Sequence, residues 1–293
     1  MFADPHHSSV VVYNGQMVPL HLSYSTLTTW ERCKKSYQLG KIVEAPAKPA
    51  VYFAGGTAVH KLTEEIDTTP DWSEDLDSAW RRHYYPVVAQ DMEASSGLYW
   101  DTKYWLSGAD TPEDWDTIGP QCVSNWQKFV KEEVASLDSV ELDVTTSLPG
   151  CPVPIKGFID RVVVHKTHGP MIIDIKTGKS KPKDTFQLAT YAAMIGVKMQ
   201  MAPIKGAYFM AREGKLAKVH TFDDLFHDAV TIGERYYAAY QEMVEAERTG
   251  MYPAKREFTC QWCTQQDNCL TYSGSTKQAL KFDADIREGK APF

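Results

Sequence analysis

Apolar and polar residues recur along this chain with two periods, and the change from one to the other divides it. The first nine or ten residues, MFADPHHSSV, show no pattern. Beyond them Leu27, Trp30 and Cys33 recur at helical spacing, and Ser23 or Ser25 can cap the start of that helix. A Pro/Ala stretch at 45–50 ends it. Gly55 and Gly56 lead into a second helix, which carries His60 and Glu64 on one face. Segments 72–93 and 112–136 read as amphipathic helices, the latter opened by Thr111 and Pro112. From about residue 138 the period falls to two. Segment 140–148 alternates, 155–165 is β-branched, and 171–175 is a short apolar run ending in charge, so three strands are expected. Asp184 can cap a helix to about residue 195. Strands at 205–211 and 216–222 and a long helix at 223–248 follow, and the last segment is loop-rich. Strands, a helix and more strands predict an α/β sandwich around one mixed sheet.

Composition changes this picture mainly through charge. The 293 residues are 43% apolar and 24% charged, an ordinary globular balance with ample core for one or two domains. No apolar run is long enough to span a membrane, and no secretory signal is visible at the start. A cytoplasmic location is therefore expected. The net charge of −7 argues against a nucleic-acid partner until it is divided by segment. Residues 61–150 hold 19 acidic and 6 basic side chains, whereas the rest of the chain holds 19 acidic and 25 basic. A mildly basic body thus carries an acidic middle, which marks an insertion or subdomain. Six of the eight tryptophans lie there, as the core of a helical unit or as stacking platforms for single-stranded bases.

The chemistry concentrates between residues 157 and 191. Asp160 lies in the second expected strand. Asp174 and Lys176 lie in the third, separated by Ile175, so both emerge on one face while Ile175 enters the core. If the two strands are neighbours, Asp160 reaches that face as well. Two carboxylates there, helped by a backbone carbonyl, offer the hard oxygen ligands that Mg²⁺ or Mn²⁺ prefers. Lys176 beside them can orient a water or stabilise charge on a phosphate. Alone, an Asp-x-Lys triplet also fits a surface ion pair at a strand end. Lys179, Lys181 and Lys183 follow in a loop placed to hold phosphates, or simply to face solvent.

Taken in order, Gly56-x-x-x-His60, Gly157-x-x-Asp160-Arg161, Asp174-x-Lys176-Thr177-Gly178 and Gln187-x-x-x-Tyr191 resemble the RecB-like branch of the PD-(D/E)XK nucleases. That branch includes CRISPR-adaptation iron–sulfur nucleases and many phage exonucleases. The proline that usually precedes the first acid is absent, Ile159 standing before Asp160. The resemblance covers the sheet, the His60 helix and both chain ends, but not 67–136. It implies a restriction-endonuclease-like core with a central mixed β-sheet flanked by helices. It further implies that His60, Asp160, Asp174 and the carbonyl of Ile175 hold the metal. Lys176 would be the catalytic lysine, and Gln187 with Tyr191 would support the site or contact DNA. Glu64 could orient His60 or be a solvated charge.

Cys260, Cys263 and Cys269 place three thiols within ten residues. Tetrahedral thiolate sites want a fourth ligand. Cys33, in its Arg32-Cys33-Lys34-Lys35 setting, resembles the upstream cysteine of the iron–sulfur members of the same branch. The resemblance therefore implies a [4Fe–4S] cluster that joins the N- and C-terminal ends, with zinc as the alternative. Cys122 and Cys151 read as ordinary cysteines.

The organisation expected is an N-terminal helical part (1–66), an acidic Trp-rich helical insertion (67–136), a nuclease core (137–250) and a cysteine-cluster region (251–293). The function implied is metal-dependent hydrolysis of phosphodiester bonds at DNA ends, in recombination, repair or CRISPR-type processing. If the chain is phage-encoded, its place is the bacterial host cytoplasm. The partners implied are DNA with an accessible end or single strand and a recombinase, annealing protein or helicase, since no nucleotide-binding Gly-Lys-Ser/Thr loop is present. The alternatives are a non-catalytic DNA-binding subunit that keeps the fold, and an iron–sulfur electron carrier, which leaves the Asp-x-Lys and Gln-x-x-x-Tyr sets unexplained.

Overall fold

The computed structural model describes residues 10–13, 16–94, 98–108, 110–200 and 204–274, with positions 284 and 288. A hairpin of β1 (Val10–Tyr13) and β2 (Gln16–Pro19) precedes α1 (Tyr24–Arg32). Ser23 starts that helix, its side chain accepting the Thr26 N–H at 3.1 Å. A short α2 (Lys34–Tyr37) runs into a π-helical turn at Gln38–Ile42. Three longer helices follow, α3 (Val51–Thr68), α4 (Leu76–Ala94) and α5 (Pro112–Glu133). Thr111 and Asp114 cap α5 reciprocally, with Pro112 in the first turn where its missing N–H costs nothing.

The sheet begins directly after α5. It comprises β3 (Val134–Thr146), β4 (Ile155–His165), β5 (Gly169–Lys176), β6 (Ile204–Met210) and β7 (Lys215–Leu216) in that spatial order, with β8 (His220–Phe222) also on β6. Every pair is antiparallel except β5 with β6, which α6 (Phe186–Met199) joins as a crossover. The single strand expected at 216–222 is two short ones. β7 pairs with the C-terminal end of β6 and β8 with its N-terminal end, and the chain leaves the ladder between them. The long α7 (Leu225–Thr249) comes next, then two 3₁₀ turns and α8 (Leu270–Ser273). No helix among the described residues is long and apolar enough to cross a membrane.

Helices cover both faces of the sheet, as the α/β reading expects. On one face Leu27 and Trp30 of α1 pack with Leu188 and Met194 of α6, with Tyr236 and Met243 of α7, and with Ile159 and Ile172 from the strands. On the other, Val59 and Leu62 of α3, Trp80 of α4 and Trp115 and Trp126 of α5 pack on Ile173, Ile175 and Phe209. The acidic segment 67–136 therefore shares its core with α3 and the sheet. Trp80, Trp115 and Trp126 are fully buried, so they fill that layer, while Trp100 is 62% exposed. Gly55 lets the layer close: a Cβ there would lie 2.3 Å from the Trp115 ring.

One buried cation ties these layers together. The side chain of Arg161, on β4, is completely buried. Its Nε donates to Asp67 Oδ2 on α3 at 2.6 Å, and its Nη2 to Thr63 Oγ1 at 3.1 Å. Its Nη1 donates to the Asp160 carbonyl at 2.6 Å and to Glu141 Oε1 at 3.3 Å. Trp126 Nε1 from α5 donates to the same Asp67 oxygen at 2.8 Å. Removing one member of such a pair strands a charge away from water. Asp67→Ala is therefore expected to lower the free energy of unfolding by about 3 to 5 kcal/mol in a denaturant titration. A loss no larger than that of a surface substitution contradicts the tie.

Candidate active site

The two strands that carry the acids stop pairing where the acids stand. The β4–β5 ladder ends with Arg161 opposite Ile173, and continuing its register puts Asp160 opposite Asp174. There the Asp160 carboxylate takes over from the ladder, Oδ2 accepting the Ile175 N–H at 2.7 Å. The strand also changes face at this point. Ile159 belongs to the core on the α6 side, whereas Arg161 reaches across to α3. Ile175 is buried, as the alternation requires, and Asp174 and Lys176 point the other way.

Lys176 bridges the acids to α6. Its Nζ lies 2.6 Å from Asp174 Oδ2 and donates to Gln187 Oε1 at 2.9 Å. Gln187 Nε2 donates in turn to the Tyr191 hydroxyl at 3.2 Å. The i, i+4 spacing on α6 places both side chains toward the strand. Gly157 makes room for them, since a Cβ there would sit 2.8 Å from Tyr191 Cε1. Asp174, Lys176, Gln187 and Tyr191 thus form one continuous polar chain.

His60 arrives from α3, with its Nδ1 3.5 Å from Asp160 Oδ2. A further acid joins it that the sequence pattern does not reveal. Ligand atoms of His60, Glu141 and Asp160 all lie within 4.8 Å of one another. Glu141 sits in β3 with φ +47°, a left-handed conformation that a non-glycine residue adopts at a cost of about 1 to 3 kcal/mol. Among the described pairs of β3 and β4 the register passes from Val140–Arg161 to Leu142–Ile159, omitting Glu141 and Asp160. The only outward signal is an acidic residue in a strand beside Asp160. Glu64 lines the same groove on the helix turn after His60.

The electrostatics are those of charges removed from water. Burial and the neighbouring Asp160 raise the Asp174 carboxyl to about 6, although Lys176 opposes this. Burial also raises Asp160, against the pull of the Ile175 N–H. Glu141 is raised by burial and by Asp160. Burial lowers His60 despite the acids around it, which favours the neutral imidazole that binds metals. Clustered buried carboxylates that resist ionisation are a donor set that a divalent cation would relieve. These oxygen and imidazole donors suit Mg²⁺ or Mn²⁺.

An open groove of about 1210 Å³ runs past this group, lined by His60, Lys61, Glu141, Lys176, Lys179 and Arg212 among others. Lys179 and Arg212 both reach Asp110, at 2.9 Å each, so this acid of the middle segment partly neutralises the groove. Lys181 and Lys183 are exposed and do not line it.

Cys33, Cys260, Cys263 and Cys269 come from opposite ends of the chain to line one small cavity. All are free thiols. The backbone N–H groups of Lys255 and Glu257 donate to the sulfurs of Cys33 and Cys260 at 3.5 and 3.4 Å. The loop is also held without the sulfurs, because Gln265 and Asn268 donate to the carbonyls of Ala45 and Pro46 at 3.2 and 2.8 Å. Cys122 and Cys151 are buried elsewhere.

Known proteins resemble this chain along most of its length. The chain is 27% identical over 214 residues to the Gene 69 protein of Mycobacterium phage D29, covering 67% of this chain and 77% of that one. It is also 27% identical over 239 residues to the Gene 69 protein of Mycobacterium phage L5, covering 69% and 80%. A solved structure from Eubacterium rectale, itself described provisionally as an exonuclease, aligns over 83% of this chain and 86% of that one, with 12% identity and a TM-score of 0.45. The family model for the PD-(D/E)XK nuclease superfamily matches residues 21–270, a span that holds His60, the acids, Lys176 and the cysteines at 33, 260, 263 and 269, and the chain belongs to that superfamily.

Proposed function

We propose that the protein is a Mg²⁺- or Mn²⁺-dependent deoxyribonuclease that hydrolyses phosphodiester bonds at DNA ends. Membership of the superfamily makes it a nuclease, and such enzymes use divalent metals. The observation that carries the reading is the convergence of Asp160, Asp174 and Lys176 where β4 and β5 stop pairing with each other, with His60 and Glu141 closing the group. Asp160, Asp174, His60 and the Ile175 carbonyl would hold the ion, with Glu141 as a further oxygen donor. Bound there, the ion supplies the charge that acidifies a water molecule and offsets that of the phosphate. Lys176 keeps its ammonium between Asp174 and Gln187, where it can orient that water or meet charge building on the phosphate oxygens. Gln187 fixes the ammonium, and Tyr191 fixes Gln187. Lys179 and Arg212 would meet the backbone phosphates of a strand lying in the groove. Hydrolysis at ends, and a place in recombination, repair or CRISPR-type processing, rest on the likeness of the motif set to the RecB-like branch.

The reading of the cysteines as ligands of a [4Fe–4S] cluster, with zinc as the alternative, rests on the likeness of their pattern to the iron–sulfur members of the branch. The four sulfurs line one shared cavity, and backbone N–H groups point at two of them. Such a cluster would act as a staple between the N-terminal helix and the C-terminal loop, since hydrolysis transfers no electrons.

Two experiments test the reading. With Mg²⁺ or Mn²⁺ the protein is expected to degrade labelled linear DNA and spare closed circles, and Asp174→Ala to lower the rate at least about 100-fold. A wild type that degrades neither substrate overturns the enzyme reading, and one that cuts circles as fast as linear DNA overturns action at ends. Separately, Cys263→Ala is expected to lose iron, colour and solubility together. A colourless variant with native melting and full activity contradicts the staple.

A further inference from the structure

The cysteine loop also presents an aromatic side chain to the substrate groove. Trp262 lies between Cys260 and Cys263, on the 3₁₀ turn Phe258–Trp262. It lines the same groove as His60, Glu141 and Lys176, and it is 43% exposed. Tyr52 and Phe53, in the first turn of α3, line that groove too, and Phe53 is 52% exposed. Phe53 precedes His60 by two helical turns, about 10 Å along the axis. Phe258 meets Trp262 edge-on, with ring centroids 5.0 Å apart.

Trp262, Phe258 and Phe53 do not belong to the buried core, unlike Trp80, Trp115 and Trp126, whereas Tyr52 packs partly against it. Leaving large apolar faces in water has a cost, and exposed aromatic surface beside a site marks a binding surface. The turn that carries Trp262 is held from both directions. The Cys263 N–H donates to the Cys260 carbonyl at 3.1 Å, and the Lys48 N–H to the Thr264 carbonyl at 2.7 Å. The backbone that carries the indole is therefore held in place beside the groove. Lys61, Lys176, Lys179 and Arg212 along the same groove match a phosphate backbone, and flat aromatic faces match bases. In a duplex the flat faces of the bases are covered by stacking, so this combination fits an unpaired strand.

We propose that Trp262 stacks on a nucleobase of single-stranded DNA in the groove, with Phe258 bracing it and Phe53 offering a second face. The cysteine loop then positions a specificity residue as well as stapling the chain ends. This rests on the nuclease reading for the identity of the strand, but its test needs no turnover. In the Asp174→Ala protein, binding of a short labelled oligothymidylate is compared with binding of an abasic oligonucleotide of equal length and charge. Trp262→Ala is expected to weaken binding of the oligothymidylate by about 5- to 100-fold and to leave abasic binding unchanged. Trp262→Tyr is expected to recover most of the difference, which separates stacking from collapse of the loop. Equal losses on both strands, no loss on either, or failure of Trp262→Tyr to bind better than Trp262→Ala overturns the proposal. Trp262-dependent binding in this background, together with a wild type that never cleaves DNA with Mg²⁺ or Mn²⁺, refutes hydrolysis and leaves the stacking intact.

Discussion

The geometry of the site depends on one buried cation. Arg161 is the residue after Asp160, and its guanidinium holds the Asp160 carbonyl, Glu141 on β3, and Thr63 and Asp67 on α3. The helix that carries His60 is thereby pinned to the strand that carries the first acid. A buried ion pair contributes little net stability, but losing one member is costly, so the arrangement enforces one geometry more than it stabilises the fold. Carboxylates that repel one another need such an external hold. The left-handed backbone of Glu141 is strained, and the Arg161 contact helps keep it there.

Around that hold the fold divides the work. Beyond Arg161 and Ile173, β4 and β5 no longer pair with each other, which leaves Asp160 and Asp174 facing across the gap, and the crossover helix α6 supports Lys176 through Gln187 and Tyr191. The opposite helical layer supplies His60 and closes the groove with Asp110. The acidic segment therefore touches the site directly: Asp110 occupies Lys179 and Arg212 much as a phosphate would. On the proposed reading, a strand entering the groove would exchange with that carboxylate, which offsets part of the attraction of Lys179 and Arg212.

Some of this was readable from residues alone, for identifiable reasons. Asp174, Ile175 and Lys176 obey the two-residue alternation of a strand, so their facing follows directly. Ser23 and Thr111 state their helix starts through side-chain chemistry. Glu141 escaped because its orientation comes from a positive φ, which periodicity cannot register. Arg161 stood inside a recognisable motif, but its partners come from α3 and β3, distant in sequence. The tryptophans of 72–126 read chiefly as core, with base stacking as the alternative, and Trp80, Trp105, Trp115 and Trp126 are buried. Trp262 was hidden by the cysteines around it, which already had an explanation.

The net charge of −7 pointed away from nucleic acid, yet on the proposed reading Asp160, Asp174 and Glu141 would serve as metal donors rather than as a repulsive surface. That claim is tested most directly by anomalous diffraction from crystals of the protein soaked in Mn²⁺. The account predicts one strong peak bonded to carboxylate oxygens of Asp160 and Asp174 and to His60, with Glu141 adjacent. A peak remote from these residues, or none at saturating Mn²⁺, would contradict it.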